Sequence, residues 1–390
     1  MQWLASSWCP GSVPCLQARA SFLPFLEVKV KKRAGDDRKK SALEALKIVS
    51  AGVKGMITVN CMEEERYVPT IVTSYNRATG LGGHPLRRMM AIHGKNQTGK
   101  SVLAVALAES ARRYGHVPVI YEAEWSAEKR WLNRLVAGEG TLFDMPADLD
   151  ELFSKIQRNL DNLRKGKEQG LIADEVGCCC VSDTLTKLIP KEQMESLLTE
   201  GIKKSYSMQA QWISSWTKII VPQAYRSNSS FIIVLQERQN IGAAKFAKQR
   251  KVTLGEALMY DVSQRVECTY SKQIVQEGKV VATQFFYDME KNKSDGTTNQ
   301  SGSFFTGTGE GDTPPGLDLH REAMEEASVR DVLKSQKRSK MDYMVATFGE
   351  EEILAIRGGK EDFRKHLIEN PDEFEKFVDY LNKDARRLKE

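Results

Sequence analysis

Gly94-Lys95-Asn96-Gln97-Thr98-Gly99-Lys100-Ser101 has the spacing G-x-x-x-x-G-K-[ST]. Glycines at both ends of such a loop let successive backbone N–H groups turn inward on an anion. Lys100 then supplies a point charge for the terminal phosphates of a nucleotide, and the Ser101 hydroxyl suits a Mg²⁺ ion bridging them. The pattern is a phosphate site only when it leaves a buried strand and opens a helix. Met89–His93 is a short apolar run, and Val102–Tyr114 reads as a helix. The residues Gly94 to Val102 are therefore expected to bind a nucleoside triphosphate with Mg²⁺.

Three further apolar runs end in residues that could work on that phosphate. Val117–Glu122 leads into Glu122-Ala123-Glu124, where Glu124 can orient and deprotonate an attacking water. Cys178–Asp183 carries Asp183 where a Walker B aspartate holds the Mg²⁺ shell. Phe231–Leu235 is followed by Gln236, an uncharged amide able to read a γ-phosphate. Taken singly, each is a commonplace cap or surface residue; in this order behind a phosphate loop they form a set.

Such residues need a scaffold that brings strand ends together. The runs Met89–His93, Val117–Glu122, Gly177–Ser182 and Phe231–Leu235 are separated by stretches long enough for crossover helices. That alternation predicts an α/β fold with a mostly parallel sheet covered on both faces, and ligands collect at the carboxyl ends of such strands. Cys178, Cys179 and Cys180 are consecutive, so they alternate faces and cannot close on one metal; they read as small hydrophobes in a buried strand. Nothing resembles a disulfide framework, which points to a reducing, cytoplasmic setting.

The 390 residues suggest two or three domains; 41% are hydrophobic and 28% charged, which excludes wholesale disorder. The net charge of +5 permits a nucleic-acid partner without demanding one. No run approaches the roughly 18 apolar residues of a membrane span, so no membrane partner is expected. Residues 1–36 read as a disordered extension whose first 26 residues, rich in Trp, Pro and Ser, differ in composition from the rest of the chain. Residues 37–68 hold a helix with Ala42, Leu43, Leu46 and Val49 on one face, then a short strand at Met56–Val59. Residues 294–320, rich in Gly, Ser, Thr and Pro, read as a loop or linker, and the last 70 as a small, mainly helical domain.

Between Gln236 and Gly255 lie Arg238, Lys245, Lys248, Arg250 and Lys251, with Glu237 the only acid. A basic segment beside a nucleotide sensor can neutralise DNA phosphates, and Phe246 could stack on a base. A second segment, Thr199–Met208, offers Lys203, Lys204 and Tyr206.

With these motifs in order, the chain resembles bacterial and phage RecA recombinases over roughly residues 37–390. Glu122-Ala-Glu124 is similar to the family's Asp-Ala-Glu, whose last residue activates water. Glu128 and Trp131 fall where the family contacts adenine, and Gln236-Glu-Arg238-Gln-Asn-Ile-Gly242 is similar to its Gln-Ile-Arg-x-x-Ile-Gly. Gly255-Glu-Ala-Leu258 resembles the end of the family's second DNA loop, and Thr199–Met208 lies like its first. Lys291-Asn-Lys293 resembles the Lys-x-Lys that reaches a neighbouring subunit's ATP. Departures include Lys95-Asn-Gln-Thr98 for the family's Pro-Glu-Ser-Ser, Leu235 for an Asn, and Glu256 for an Asn, which suggests a divergent, perhaps viral, member.

The resemblance implies a RecA-like ATPase core over 69–320, an N-terminal helix–strand oligomerisation arm over 37–68 and a small C-terminal α/β domain over 321–390. It implies a DNA-dependent ATPase that polymerises as a helical filament on single-stranded DNA and exchanges strands with a homologous duplex. Glu124, Lys100, Gln236, Lys291 and Lys293 would be its catalytic residues. Two alternatives stay open: a hexameric DNA helicase of the same superfamily, and an ATP-gated DNA-binding filament or regulator that exchanges no strands.

Overall fold

The computed structural model describes residues 66–126, 128–136, 140–200, 207–239, 250–252, 256–294, 299–311, 313–339, 341–349 and 351–387. The expected extension 1–36, most of the arm 37–68, and Lys203, Lys204, Tyr206, Lys245, Phe246, Lys248 and Gly255 lie outside the described residues. Of Arg238, Arg250 and Lys251 the backbone alone is described.

In chain order the elements are β1 (Tyr67–Val68), α1 (Thr73–Thr79), β2 (His84–Pro85), β3 (Met89–Gly94), α2 (Lys100–Arg113), β4 (Val117–Glu122), α3 (Lys129–Leu135), β5 (Leu142–Asp144) and α4 (Leu149–Glu168). Next come β6 (Cys178–Asp183), α5 (Lys191–Glu200), α6 (Ser207–Ser227), β7 (Ser230–Gln239), β8 (Arg250–Val252), α7 (Glu256–Asp261), β9 (Gln264–Gln276), β10 (Lys279–Asn292), β11 (Gln300–Gly307) and β12 (Gly316–Leu317). The last are α8 (Leu319–Val329), β13 (Leu333–Arg338), β14 (Met341–Phe348), β15 (Glu351–Arg357), α9 (Lys360–Glu369) and α10 (Pro371–Arg387).

The central sheet runs β12-β11-β10-β9-β3-β7-β6-β4-β5, with β8 paired to β7. From β9 to β5 every neighbour is parallel, as the alternation of strands and helices requires. Successive side chains point to opposite faces and so feed two cores. Met90, Ile92, Cys179, Ile232 and Val234 pack with α1 and α2 on one face. Met89, Ala91, Cys178, Cys180, Phe231, Ile233 and Leu235 pack with α4 and α6 on the other. The three consecutive cysteines thus divide between the cores as small hydrophobes, and burial pushes the thiol of Cys178 up to about 11 and that of Cys179 up to about 12. Helix α4 shows the matching pattern: Leu149, Leu152, Ile156, Leu160 and Leu163 are buried along one stripe. Each such side chain contributes roughly 1.5–3 kcal/mol of burial. Asp148 caps α4 by accepting from the Glu151 N–H at 2.7 Å.

One expectation is corrected and a second is completed. Residues 294–320 are not a linker, because β11 and β12 extend the central sheet through antiparallel pairing with β10 and with each other. Their small residues serve close approach: a Cβ at Gly302 would lie 2.1 Å from the Tyr287 hydroxyl. The C-terminal residues carry strands as well as the expected helices, and so are α/β. β13, β14 and β15 form an antiparallel sheet, and with α8, α9 and α10 they enclose a core of Met344, Ala346, Phe363, Leu367, Phe377 and Leu381. Strands of such charge, as in Leu333-Lys-Ser-Gln-Lys-Arg338, hide their period of two in composition.

Glu322 of α8, fully buried, ties these elements to α1, which packs on the central sheet. Its carboxylate accepts from the Thr73 N–H (3.0 Å), the Thr73 hydroxyl (2.8 Å) and the Ser74 N–H (2.8 Å), capping α1 from outside the helix. Among the described residues no helix is long and apolar enough to cross a membrane.

Candidate functional site

Register alone lines up the expected residues. Gly94 at the end of β3 pairs with Gln236 on β7 and with Cys268 on β9, and Glu122 on β4 pairs with Asp183 on β6. β3, β7, β6 and β4 are consecutive in the sheet, and Ser182 pairs with Ile233, so Glu122 and Asp183 share one level at the carboxyl ends and Gly94 and Gln236 share another two residues further along.

The phosphate loop leaves β3 through Gly94 (φ 146°), where a Cβ would lie 2.2 Å from the Cys268 carbonyl oxygen. It enters α2 through Gly99 (φ 88°), where a Cβ would lie 2.6 Å from the Phe285 ring. Both positions therefore require glycine twice over, for backbone angle and for space. Lys95, Asn96 and Gln97 are exposed on the loop's outer side, and the Thr98 hydroxyl turns in to the Lys95 carbonyl at 2.9 Å. No side chain caps α2, so its first amide N–H groups face the loop without a side-chain acceptor, the arrangement that binds anions.

Lys100 is buried and donates to the Lys95 carbonyl. Burial lowers its pKa, while Cys268, Asp183, Glu124 and Glu237 pull the other way. A phosphate beside it would take over from the carbonyl and stabilise the charge. Asp183 is pushed up to about 6 by burial, against hydrogen bonding from the Ser101 hydroxyl, with Glu124 and Glu122 adding to the rise. A buried carboxylate that burial and like charges make reluctant to ionise, beside a serine hydroxyl, is a donor pair that a hard divalent cation fits.

Glu124 is exposed, and Gln236 Nε2 donates to its Oε1. The turn that carries Glu124 is pinned from below by Glu122, whose Oε1 accepts from the Glu124 N–H at 2.9 Å and the Ser126 N–H at 3.4 Å. Glu122, which the sequence offers as a motif match, thus fixes where Glu124 stands. Glu128 is exposed at the start of α3, and Trp131, one turn on, is half-buried against the core beside α2.

Lys291 and Lys293 are held away from these strand ends. On β10, Lys291 pairs with Arg265, which pairs with Ala91, three residues before Gly94 on β3. Three residues and two inter-strand steps separate it by roughly 14 Å from the loop's first residue. Its Nζ donates to the carbonyls of Met259 (2.8 Å) and Tyr260 (2.9 Å), and Lys293 donates to Tyr260 (3.2 Å), so both amines crown the C-terminal end of α7. Burial, with Lys293 and Arg265 nearby, brings Lys291 down to about 8. The basic stretch after Gln236 is less loop-like than its composition suggests: Glu237, Arg238 and Gln239 pair with Val252, Lys251 and Arg250 as a two-stranded ribbon.

Sequence reasoning missed His93. It lies buried beneath the phosphate loop, with Nδ1 2.8 Å from Glu237 Oε1 and Nε2 2.9 Å from Glu290 Oε2. The signal was a histidine in the otherwise apolar run Met89–Gly94, directly before the motif.

The RecA N-terminal domain family model matches residues 48–302, more than half of the chain. Protein RecA of Mesoplasma florum is 25% identical over 218 residues, 56% of this chain and 61% of that protein. Protein RecA of Aquifex pyrophilus is 26% identical over 230 residues, 59% and 62% of the two chains. Protein RecA of Mycoplasma mycoides is 24% identical over 244 residues, 62% and 66%. The chain thus spans a little under two thirds of the length of these relatives. The matched region, residues 48–302, covers more than half of the sequence and establishes that the chain belongs to the RecA family.

Proposed function

We propose that the chain is an ATP-dependent DNA recombinase that assembles on single-stranded DNA and pairs it with a homologous duplex. The observation that carries this reading is the hydrogen bond from Gln236 to Glu124. Gln236 stands on the strand that continues into the β7–β8 ribbon, and the basic segment lies between those two strands. A γ-phosphate competing for the Gln236 amide would release Glu124 and shift the root of that ribbon. One side-chain exchange would then link nucleotide state to DNA binding.

In hydrolysis, water attacks the γ-phosphorus and the bond to the β-phosphate oxygen breaks. Glu124 accepts the proton from the attacking water. The α2 N-terminus and Lys100 hold the phosphates and offset the charge that develops on the leaving oxygen. Ser101 and Asp183 would hold Mg²⁺, which when bound draws charge from the β- and γ-phosphates. Trp131 and Glu128 are proposed for the adenine face. Lys291 and Lys293 are proposed to serve a neighbouring subunit's ATP, since their strand register holds them away from their own phosphate loop. Arg238, Arg250 and Lys251, with Lys245, Lys248, Phe246, Lys203, Lys204, Tyr206 and Gly255, are proposed for DNA.

ATP turnover with and without single-stranded DNA, imaging of the assemblies, and a strand-pairing assay test this reading. Stimulated turnover with helical filaments and paired product is expected. Closed rings that unwind duplex would favour a helicase, and stimulated filaments without pairing would favour a non-exchanging regulator.

A further inference from the structure

His93 is the last side chain of β3 before the phosphate loop, and only 4% of it is exposed. Both ring nitrogens face carboxylates that are themselves largely buried, Glu237 at 9% and Glu290 at 17% side-chain exposure. Arg265 Nε lies 2.6 Å from the same Glu290 oxygen that His93 meets, an ion pair by distance although its N–H is not aimed at that oxygen. Glu267, two residues along β9, hydrogen-bonds Glu290, and Lys100 of α2 lies within electrostatic reach of Glu237.

The proton count in this cluster is constrained. A neutral imidazole has one N–H and one lone pair, so it satisfies one carboxylate and turns its lone pair on the other. Glu267 hydrogen-bonds Glu290 through a proton shared between the two carboxyl groups, because an ionised carboxylate has no donor to offer. A doubly protonated ring satisfies both flanking carboxylates, donating one charge-assisted hydrogen bond in each direction. Burial opposes that charge, but the carboxylates of Glu237 and Glu290 outweigh it and hold the ring above the ordinary histidine value.

His93 and the two carboxylates that clamp it are each the chain neighbour of a residue proposed to work at the nucleotide. His93 precedes Gly94, Glu237 follows Gln236 and pairs with Val252 at the root of the ribbon, and Glu290 precedes Lys291. We infer that His93, as an imidazolium clamped between Glu237 and Glu290, is a positioning residue that locks the phosphate-loop, glutamine and lysine strands together and so transmits DNA binding to ATP hydrolysis. The inference rests on the recombinase reading above. The sign of its pH dependence is set by the raised value: the clamp is complete below the unfolded-state histidine value of ~6.5 and is lost as pH rises through the higher folded value.

The test uses the full chain and three proteins: wild type, His93→Gln and Glu237→Gln. The ratio of DNA-stimulated to DNA-free turnover is measured from about pH 6 to 9, beside ¹⁵N NMR of the histidine ring, which distinguishes imidazolium from the neutral tautomers. In wild type the ratio should fall as His93 deprotonates. His93→Gln should show a ratio about tenfold lower and flat with pH, the loss falling on the stimulated kcat rather than on KM for ATP. Glu237→Gln is the rescue arm, because its amide donates to Nδ1 and a neutral ring with Nε2–H then satisfies both sides. Its ratio should persist to higher pH than the wild-type ratio, and it decides the matter should His93→Gln fail to fold.

A neutral His93 ring at pH 6, a His93→Gln ratio within twofold of wild type, or one pH profile shared by wild type and Glu237→Gln would each overturn the clamp. Absence of DNA stimulation in wild type at every pH would instead overturn the recombinase reading, and the coupling with it.

Discussion

Gly99→Ala tests whether the phosphate loop is shaped as described. Gly99 has φ 88°, and the new Cβ would lie 2.6 Å from Cγ and Cδ1 of Phe285 and 3.0 Å from its Cβ. A left-handed alanine costs ~1–2 kcal/mol. Carbon atoms pack at roughly 3.5–4.0 Å, so the ring must retreat by about 1 Å. Phe285 stacks on Phe304 with centroids 5.2 Å apart, which limits that retreat, and overpacking of this kind costs ~1–3 kcal/mol. The two parts together come to ~2–5 kcal/mol. Borne by the loop alone, that weakens nucleotide binding between about thirty-fold and a few thousand-fold. Borne by the whole fold, it lowers stability to urea instead, so both are measured: titration with a fluorescent ATP analogue and Mg²⁺, and urea unfolding. Adding Phe285→Leu should recover the collision part but not the backbone part, a coupling of ~1–3 kcal/mol in a double-mutant cycle. Binding and stability both unchanged to within ~0.5 kcal/mol would refute the loop geometry, and strict additivity would refute the collision.

Glu124→Gln should bind the ATP analogue as wild type does, since an amide can still pair with Gln236, yet turn over ATP at least ~100-fold more slowly; turnover within a few-fold of wild type would remove Glu124 as the base. Lys100→Ala should instead weaken analogue binding itself, and unchanged affinity would show that the lysine does not meet the phosphates. Lys291→Ala with Lys293→Ala should abolish DNA-stimulated hydrolysis, and mixing with Glu124→Gln subunits should restore part of it; no rescue at any mixing ratio would contradict action across an interface. Glu322→Ala should lower the unfolding free energy by ~3–9 kcal/mol, because three buried donors at the start of α1 lose their acceptor at ~1–3 kcal/mol each. An unfolding free energy from urea titration lowered by less than ~1 kcal/mol would mean that water replaces the carboxylate.

The candidate phosphate loop was legible in sequence because its logic is local. A phosphate loop needs glycine, lysine and serine at fixed offsets between a strand and a helix, and all of that lies within Met89–Arg113. The parallel part of the sheet was legible for a related reason: strands buried on both faces are continuous apolar runs, and β3, β4, β6 and β7 are of that kind. What escaped was built from long-range pairing. β11 joins the sheet through β10 with two buried phenylalanines among small and polar residues, so its composition resembled a linker. The charged strands β13–β15 looked unlike strands until a hydrophobic core formed on one side of them.

Tertiary structure alone brought His93, Glu237 and Glu290 together across 197 residues of chain, and it alone set Lys291 level with Ala91 rather than Gly94. A motif records which residue types a reaction needs near one another in sequence. Burial, register and the pairing of charges from separate strands depend on how distant segments meet, and no spacing along the chain encodes that distance in space.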